Sequence, residues 1–105
     1  MKPMPHTARL ALAGVLITVA ATAGADDVPH HQAMELIEQG AIRNFHDLGT
    51  IALGLHTGAT IEGTELEHEY GRYVYQVELR DVDGGEWDMH IDAATGEVHK
   101  NERDD

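Results

Sequence analysis

WDMHIDAATGEVHK, Trp87 to Lys100, is the stretch whose reading decides the fold. Trp87, Met89 and Ile91 alternate with Asp88, His90 and Asp92, the period of two of a half-buried strand. Ala93 to Gly96 then supplies turn chemistry, and the alternation resumes with Val98. The spacing predicts the closing hairpin of a sheet. Met89, Ile91 and Val98 face a core, and His90 and His99 point outward together.

Working outward, Tyr73, Tyr75, Val77 and Leu79 share one face of a preceding strand, and Asp83-Gly84-Gly85 punctuates the connection. Strands are expected at about 60 to 70, 72 to 81, 85 to 92 and 97 to 101. A slip of one residue sends every side chain to the wrong face, so register is strongly constrained. Placing Leu79 beside Trp87, Val77 beside Met89 and Tyr75 beside Ile91 requires an odd loop, which Val82-Asp83-Gly84 provides with glycine at its left-handed position. A two-residue loop at Gly71-Arg72 pairs Leu66 with Val77 and His68 with Tyr75. A four-residue loop at 93 to 96 pairs Ile91 with Val98.

Ahead of the strands the period is helical. Ala33, Met34, Ile37 and Ala41 fall on one face after Pro29, with Gly40 as the stop. Asn44 is a natural cap for a second helix carrying Leu48, Ile51, Ala52 and Leu55, with Gly58 beyond its end. The expected architecture is α+β: an N-terminal helical hairpin packed on one face of a four-stranded antiparallel meander.

The first 25 residues stand apart. Lys2 and Arg9 precede a 16-residue apolar run, LALAGVLITVAATAGA, ending in the small-x-small pattern Ala23-Gly24-Ala25. The run is shorter than the roughly 20 residues that span a bilayer. It reads as a signal peptide cleaved after Ala25, making residues 26 to 105 one exported domain, periplasmic or secreted, with no stable membrane insertion. The chain has no cysteine, so neither a disulfide nor a lipidated cysteine is available.

Seven basic residues against 19 acidic ones give a formal charge of −12. Loss of Lys2 and Arg9 leaves five basic residues and a charge of −14. Such a chain is repelled by nucleic acid and by anionic lipid, and favours basic proteins, cationic peptides and metal ions. The acids are interleaved with spaced apolar residues, which is the pattern of a solvated face on a folded domain.

AIRNFHDLGTIAL, TELEHEYGRYVYQVEL and above all WDMHIDAATGEV together resemble the PepSY domain, over about residues 29 to 102. The most specific part is Tyr75-x-Val77, a D-G turn, and then Asp92-Ala93-x-Thr95-Gly96-Glu97-Val98. The family pattern usually carries a proline before the glycine that ends the second helix, where this chain has Thr57-Gly58. The resemblance implies an antiparallel sheet with helices on one face, no catalytic residues, and a role as an inhibitory or regulatory binding module.

The residues themselves also argue against catalysis. No cysteine or serine exists, and the five threonines beyond residue 25 sit at helix, turn or strand positions without a base beside them. Histidines 30, 31, 46, 56, 68, 90 and 99 show no H-E-x-x-H spacing. The expected register instead lays a row Glu67, Gln76, His90, His99 across the polar face, beside a row Glu65, Glu78, Asp88, Asn101. Glu65, Glu67, Glu78 and Asp88 are the expected contacts to a protein partner with a basic surface, such as a protease or the sensor portion of a membrane signalling system. No cofactor is required by this reading. The alternative is a cation binder in which His90 and His99, or the rival pair His30 and His31, hold zinc, copper or nickel; an ordinary solvated face is the plainer account of the same histidines.

Overall fold

The computed structural model describes residues 26–104, so the signal-peptide expectation for residues 1–25 lies outside the described residues. In chain order the elements are β1 (Asp26–Asp27), α1 (His30–Glu38), α2 (Phe45–Leu55), β2 (Thr60–Glu69), β3 (Arg72–Arg80), β4 (Glu86–Asp92) and β5 (Val98–Arg103). The sheet is antiparallel with spatial order β1-β2-β3-β4-β5, and the two helices cover one face. Among the described residues no helix is long and apolar enough to cross a membrane.

The sheet therefore has five strands where four were expected. The added strand is the acidic pair before Pro29, with Asp26 opposite His68 and Asp27 opposite Glu67, followed by a 2.9 Å bond from Val28 N–H to the Leu66 carbonyl. Two consecutive aspartates carry no apolar alternation, so this strand exists through pairing with β2 and has no signature of its own.

Local chemistry explains where the helices stop and start. At the end of α1, Ala41 N–H bonds Leu36 C=O and Gly40 N–H bonds Ile37 C=O, with Gly40 at φ +77°: a Schellman closure that only a residue tolerant of left-handed backbone makes cheaply. Asn44 caps α2 by accepting a 2.8 Å bond from Asp47 N–H, and Asp47 itself sits in the turn that favours negative charge. The helix ends at Leu55, ahead of the glycine at 58, so Leu55 is exposed and drops off the apolar stripe.

The β3–β4 hairpin has the expected register, with Leu79 opposite Trp87, Val77 opposite Met89 and Tyr75 opposite Ile91. Asp81 N–H to Gly85 C=O at 2.8 Å closes the three-residue loop, and Gly84 takes φ +86°. The β2–β3 hairpin differs by two residues. Its turn is Tyr70-Gly71, both left-handed at φ +49° and +84°, which pairs Leu66 with Tyr75 and His68 with Tyr73. A primed turn with two positive φ values follows the strand twist, and that preference places a tyrosine where glycine or asparagine is usual. A shift of two residues conserves faces, so the core is unchanged.

That core joins Ala33, Ile42, Leu48 and Ala52 from the helical side to Leu66, Tyr75, Val77, Leu79, Met89, Ile91 and Ala93 from the sheet. Phe45 stacks on Tyr75 with ring centroids 5.3 Å apart, while Tyr73 and Trp87 lie half-buried at the margin. All large aromatic bodies except Tyr70 are thus spent on the helix-covered side.

Candidate functional site

The other face of the sheet has no element over it among the described residues. Strand alternation assigns to it Asp27 on β1; Glu65, Glu67 and Glu69 on β2; Glu78 on β3; Asp88 and Asp92 on β4; and Glu102 on β5. All four expected contact residues, Glu65, Glu67, Glu78 and Asp88, lie there. Their rows differ from expectation. Glu65 stands opposite Gln76, which stands opposite His90, which stands opposite Lys100; the next row is Gly63, Glu78, Asp88 and Glu102.

Two irregularities cause the difference. The Tyr70-Gly71 turn shifts β2 by two residues, and a bulge between His90 and Ile91 of β4 leaves His99 unmatched on β5. Asn101 moves to the helix side, where His56 Nε2 meets its Oδ1 at 2.7 Å. The Gln76 side chain still reaches Glu67, donating 2.9 Å from Nε2 to Oε1 along the diagonal.

Cations are distributed unevenly over this face. Glu78 opposite Asp88 is the like-charge pair expected from the sequence, and Lys100 relieves it by placing Nζ 2.9 Å from Asp88 Oδ2. That contact, with the Asp88 charge, raises the Lys100 ammonium above its ordinary pKa. His90 Nε2 adds a 3.5 Å approach to Asp88 Oδ1. At the far end Arg80 bridges Glu62 at 2.8 Å and Glu86 at 2.7 Å. Toward β1 the carboxylates of Asp27, Glu65 and Glu67 lie within 4.8 Å of one another. Among the described residues no lysine or arginine is in ion-pair contact with any of these three.

Glu67 registers that crowding. Desolvation, a hydrogen bond to the Glu69 carboxyl and the charges of Asp27, Glu65 and Glu69 together push it up to about 7. Asp92 moves the other way. Burial alone would raise it, but the backbone N–H groups of Thr95 and Ala94, 3.0 and 2.9 Å from Oδ1, outweigh burial and hold the carboxyl below its usual range. Asp92 is therefore the keystone of the D-A-x-T-G-E turn, and its charge serves the fold.

The histidines part company. His90 and His99 line one hollow of about 250 Å³ together with Glu69, Arg72 and Val74. The Arg72 guanidinium lies 3.0 Å from His99 Nδ1, a cation beside one of the two imidazoles. His30 opens on a different cavity, with Asp27 and Glu65, and His31 is exposed without lining it. None of the four belongs to a group of three metal-ligating atoms; among the described residues Asp27, Glu65 and Glu67 form that group. Lys100 and Asp27 were not anticipated as parts of this face. The shift caused by the β5 bulge hid the first, and the lack of any alternation around Asp26 hid the second.

Comparison with known proteins agrees with the geometry. A family model described as "Peptidase propeptide and YPEB domain" matches residues 49–102, from within α2 to the end region of β5, leaving α1 outside the match. No curated protein and no solved structure matches the chain. The matched segment is more than half of the chain, contains β2 to β4 and all of β5 but its last residue, and shows a face of ion-paired and unpaired carboxylates with no catalytic constellation among the described residues. The chain belongs to the PepSY domain family, as a non-catalytic binding module.

Proposed function

We propose that the chain is an exported regulatory module, periplasmic or secreted once residues 1–25 are removed, that holds a protein partner with a basic surface against its open sheet face. A protease or the sensor portion of a membrane signalling system is the partner class that suits a PepSY domain. The observation that carries this reading is the carboxylate-rich face, uncovered among the described residues, whose Asp27, Glu65 and Glu67 have no lysine or arginine of their own. Such a face steers basic surfaces to it and repels nucleic acid.

The test is affinity capture of exported proteins on the immobilised chain across a salt series, beside a Glu65→Lys, Glu78→Lys variant. A captured protease or sensor that elutes with salt and is missed by the variant supports the reading. Capture indifferent to both salt and charge reversal rejects it, because exposed ion pairs weaken within a Debye length of about 10 Å at 0.1 M salt.

A second reading, a divalent-cation binder, is favoured by one observation, the shared hollow of His90 and His99. Calorimetric titration with zinc, copper and nickel decides it. Saturable binding lost in a His90→Ala, His99→Ala variant supports the pair, and binding lost only in a His30→Ala, His31→Ala variant moves the site to α1.

A further inference from the structure

Among the described residues the long edge of β2 is only partly covered. β2 runs ten residues, whereas β1 runs two and pairs only with Glu67 and His68. Val28 N–H reaches Leu66 C=O, and there the neighbour ends, because Pro29 has no N–H and α1 begins at His30. Leu66 thus turns its backbone groups toward β1. Register is uninterrupted from Gly63 to Leu66, and backbone polar groups alternate sides along a strand, so Thr64 presents its N–H and C=O the same way, beyond the end of β1. Thr64 is exposed, and among the described residues no turn, loop or cap backbone bond involves it.

Hollows open on both faces beside this bare backbone. On the helix side a cavity of about 320 Å³ has Phe45, Leu66 and Tyr75 at its apolar wall and the exposed Asp27, His30 and Glu65 at its mouth. On the open face a second hollow of about 130 Å³ lies over Gly63, between Glu65 and Glu78. A strand laid against Gly63 to Glu65 sends successive side chains to alternate faces. A side chain on the helix side would lie along Phe45 and Tyr75, and its basic neighbour on the open face would reach Glu65 and Glu78.

We infer that the free edge of β2 around Thr64, next to the register irregularity between Ile61 and Gly63, is a docking site for an extended basic segment of a partner protein, which adds to the sheet as a further strand. Main-chain hydrogen bonds to Thr64 supply the alignment, the open-face hollow selects basic side chains at every second position, and the helix-side cavity takes the side chain between them. A second copy of the chain is a poor occupant, since it would bring its own Asp27, Glu62 and Glu65 against the same carboxylates in a protein of formal charge −12. The inference deepens the proposed function and rests on it only for the sign of the partner's charge.

The experiment titrates a short peptide of alternating lysine and threonine into the purified chain and its variants. A second peptide, methylated on alternate backbone nitrogens, keeps the charges and loses the donors. Expected are salt-sensitive binding, a loss of roughly tenfold or more for the methylated peptide, and a similar loss for Thr64→Pro, whose fold is checked by circular dichroism. Slowed amide exchange at Thr64 on binding is the accompanying signature. Should Thr64→Pro fail to fold, the methylated peptide against the unaltered chain carries the test alone. Binding unaffected by methylation but lost in Glu78→Lys overturns strand addition and leaves the acidic-face reading standing. Failure of the peptide to bind overturns the edge site, while capture of folded basic partners judges the acidic face separately. Self-association abolished by Thr64→Pro also overturns it, in favour of a second copy at that edge.

Discussion

Trp87 Nε1 donates a 2.8 Å hydrogen bond to Oδ2 of Asp81, six residues earlier across the β3–β4 loop. The other carboxylate oxygen accepts from Asp83 N–H at 2.9 Å and Gly85 N–H at 2.8 Å. One side chain therefore closes the loop and anchors the indole at the margin of the core. The Trp87 and Gly85 bonds hold the Asp81 carboxyl below its ordinary pKa.

A carboxyl depressed on folding contributes stability above its unfolded pKa and loses it as pH falls through the lower folded value. Asp81→Ala is accordingly expected to lower the thermal midpoint at neutral pH and to flatten its decline below about pH 4. Trp87 emission should shift to the red as the indole gains water. Melts of the two proteins that coincide at neutral pH would show the loop to be held by other bonds.

Glu67 has the opposite sign. Its folded pKa, about 7, stands above the ordinary glutamate value, so the folded state binds the proton more tightly than the unfolded chain. The resulting stability is fully present below about pH 4.5 and is lost as pH rises through about 7. Glu67→Gln keeps an acceptor for Gln76 while removing the charge. Denaturant midpoints of the variant should exceed those of the unaltered chain at about pH 8 and converge with them near pH 5. Equal pH slopes for the two proteins would assign the titration elsewhere.

The contrast between these two hairpins shows what a sequence of this kind discloses. The β3–β4 register was legible because Val82-Asp83-Gly84 and the apolar alternation of Leu79 and Trp87 demand the same odd loop. The β2–β3 register was not, since Gly71 fits either the first or the second position of a two-residue turn and both choices keep Leu66 inward. The position of His99 depended on a bulge that leaves no mark in the residue pattern, which is why the expected His90–His99 pairing is a His90–Lys100 pairing. Faces follow from period; rows follow from turns and bulges, and the site lives on rows.

Tyr70 gives the turn its own test. It is 82% exposed and sits at φ +49°, so nothing in the core repays its left-handed backbone. Tyr70→Asn is expected to raise stability by about 0.5–1 kcal/mol, because asparagine tolerates that conformation and suits the first position of a type I′ turn. Chemical denaturation should show a higher midpoint at unchanged slope. A loss of stability instead would mean that the phenol makes a contact worth more than the strain.

Gly96 is where the D-A-x-T-G-E turn meets the helices. It takes φ +84°, its N–H bonds the Asp92 carbonyl at 2.7 Å, and Arg43 N–H on the linker between the helices bonds the Ala93 carbonyl at 2.8 Å. A Cβ built at Gly96 would stand 3.0 Å from Ile51 Cδ1 and 3.2 Å from Arg43 Nε. Alanine there faces two costs, the left-handed backbone and the crowding of α2 against the turn. Gly40 separates them: it has a similar φ, +77°, with nothing within 4 Å of its Cβ position. Gly40→Ala is thus expected to cost about 1–2 kcal/mol, the backbone part alone. Gly96→Ala should cost about 1 kcal/mol more, since its neighbours include a packed isoleucine as well as a flexible arginine end. Adding Ile51→Val to Gly96→Ala frees the Cδ1 position, so the double variant should recover part of that excess. Equal losses for Gly40→Ala and Gly96→Ala would place the turn too far from α2 for crowding to matter, and with it the contact that fixes the helices to the end of the sheet.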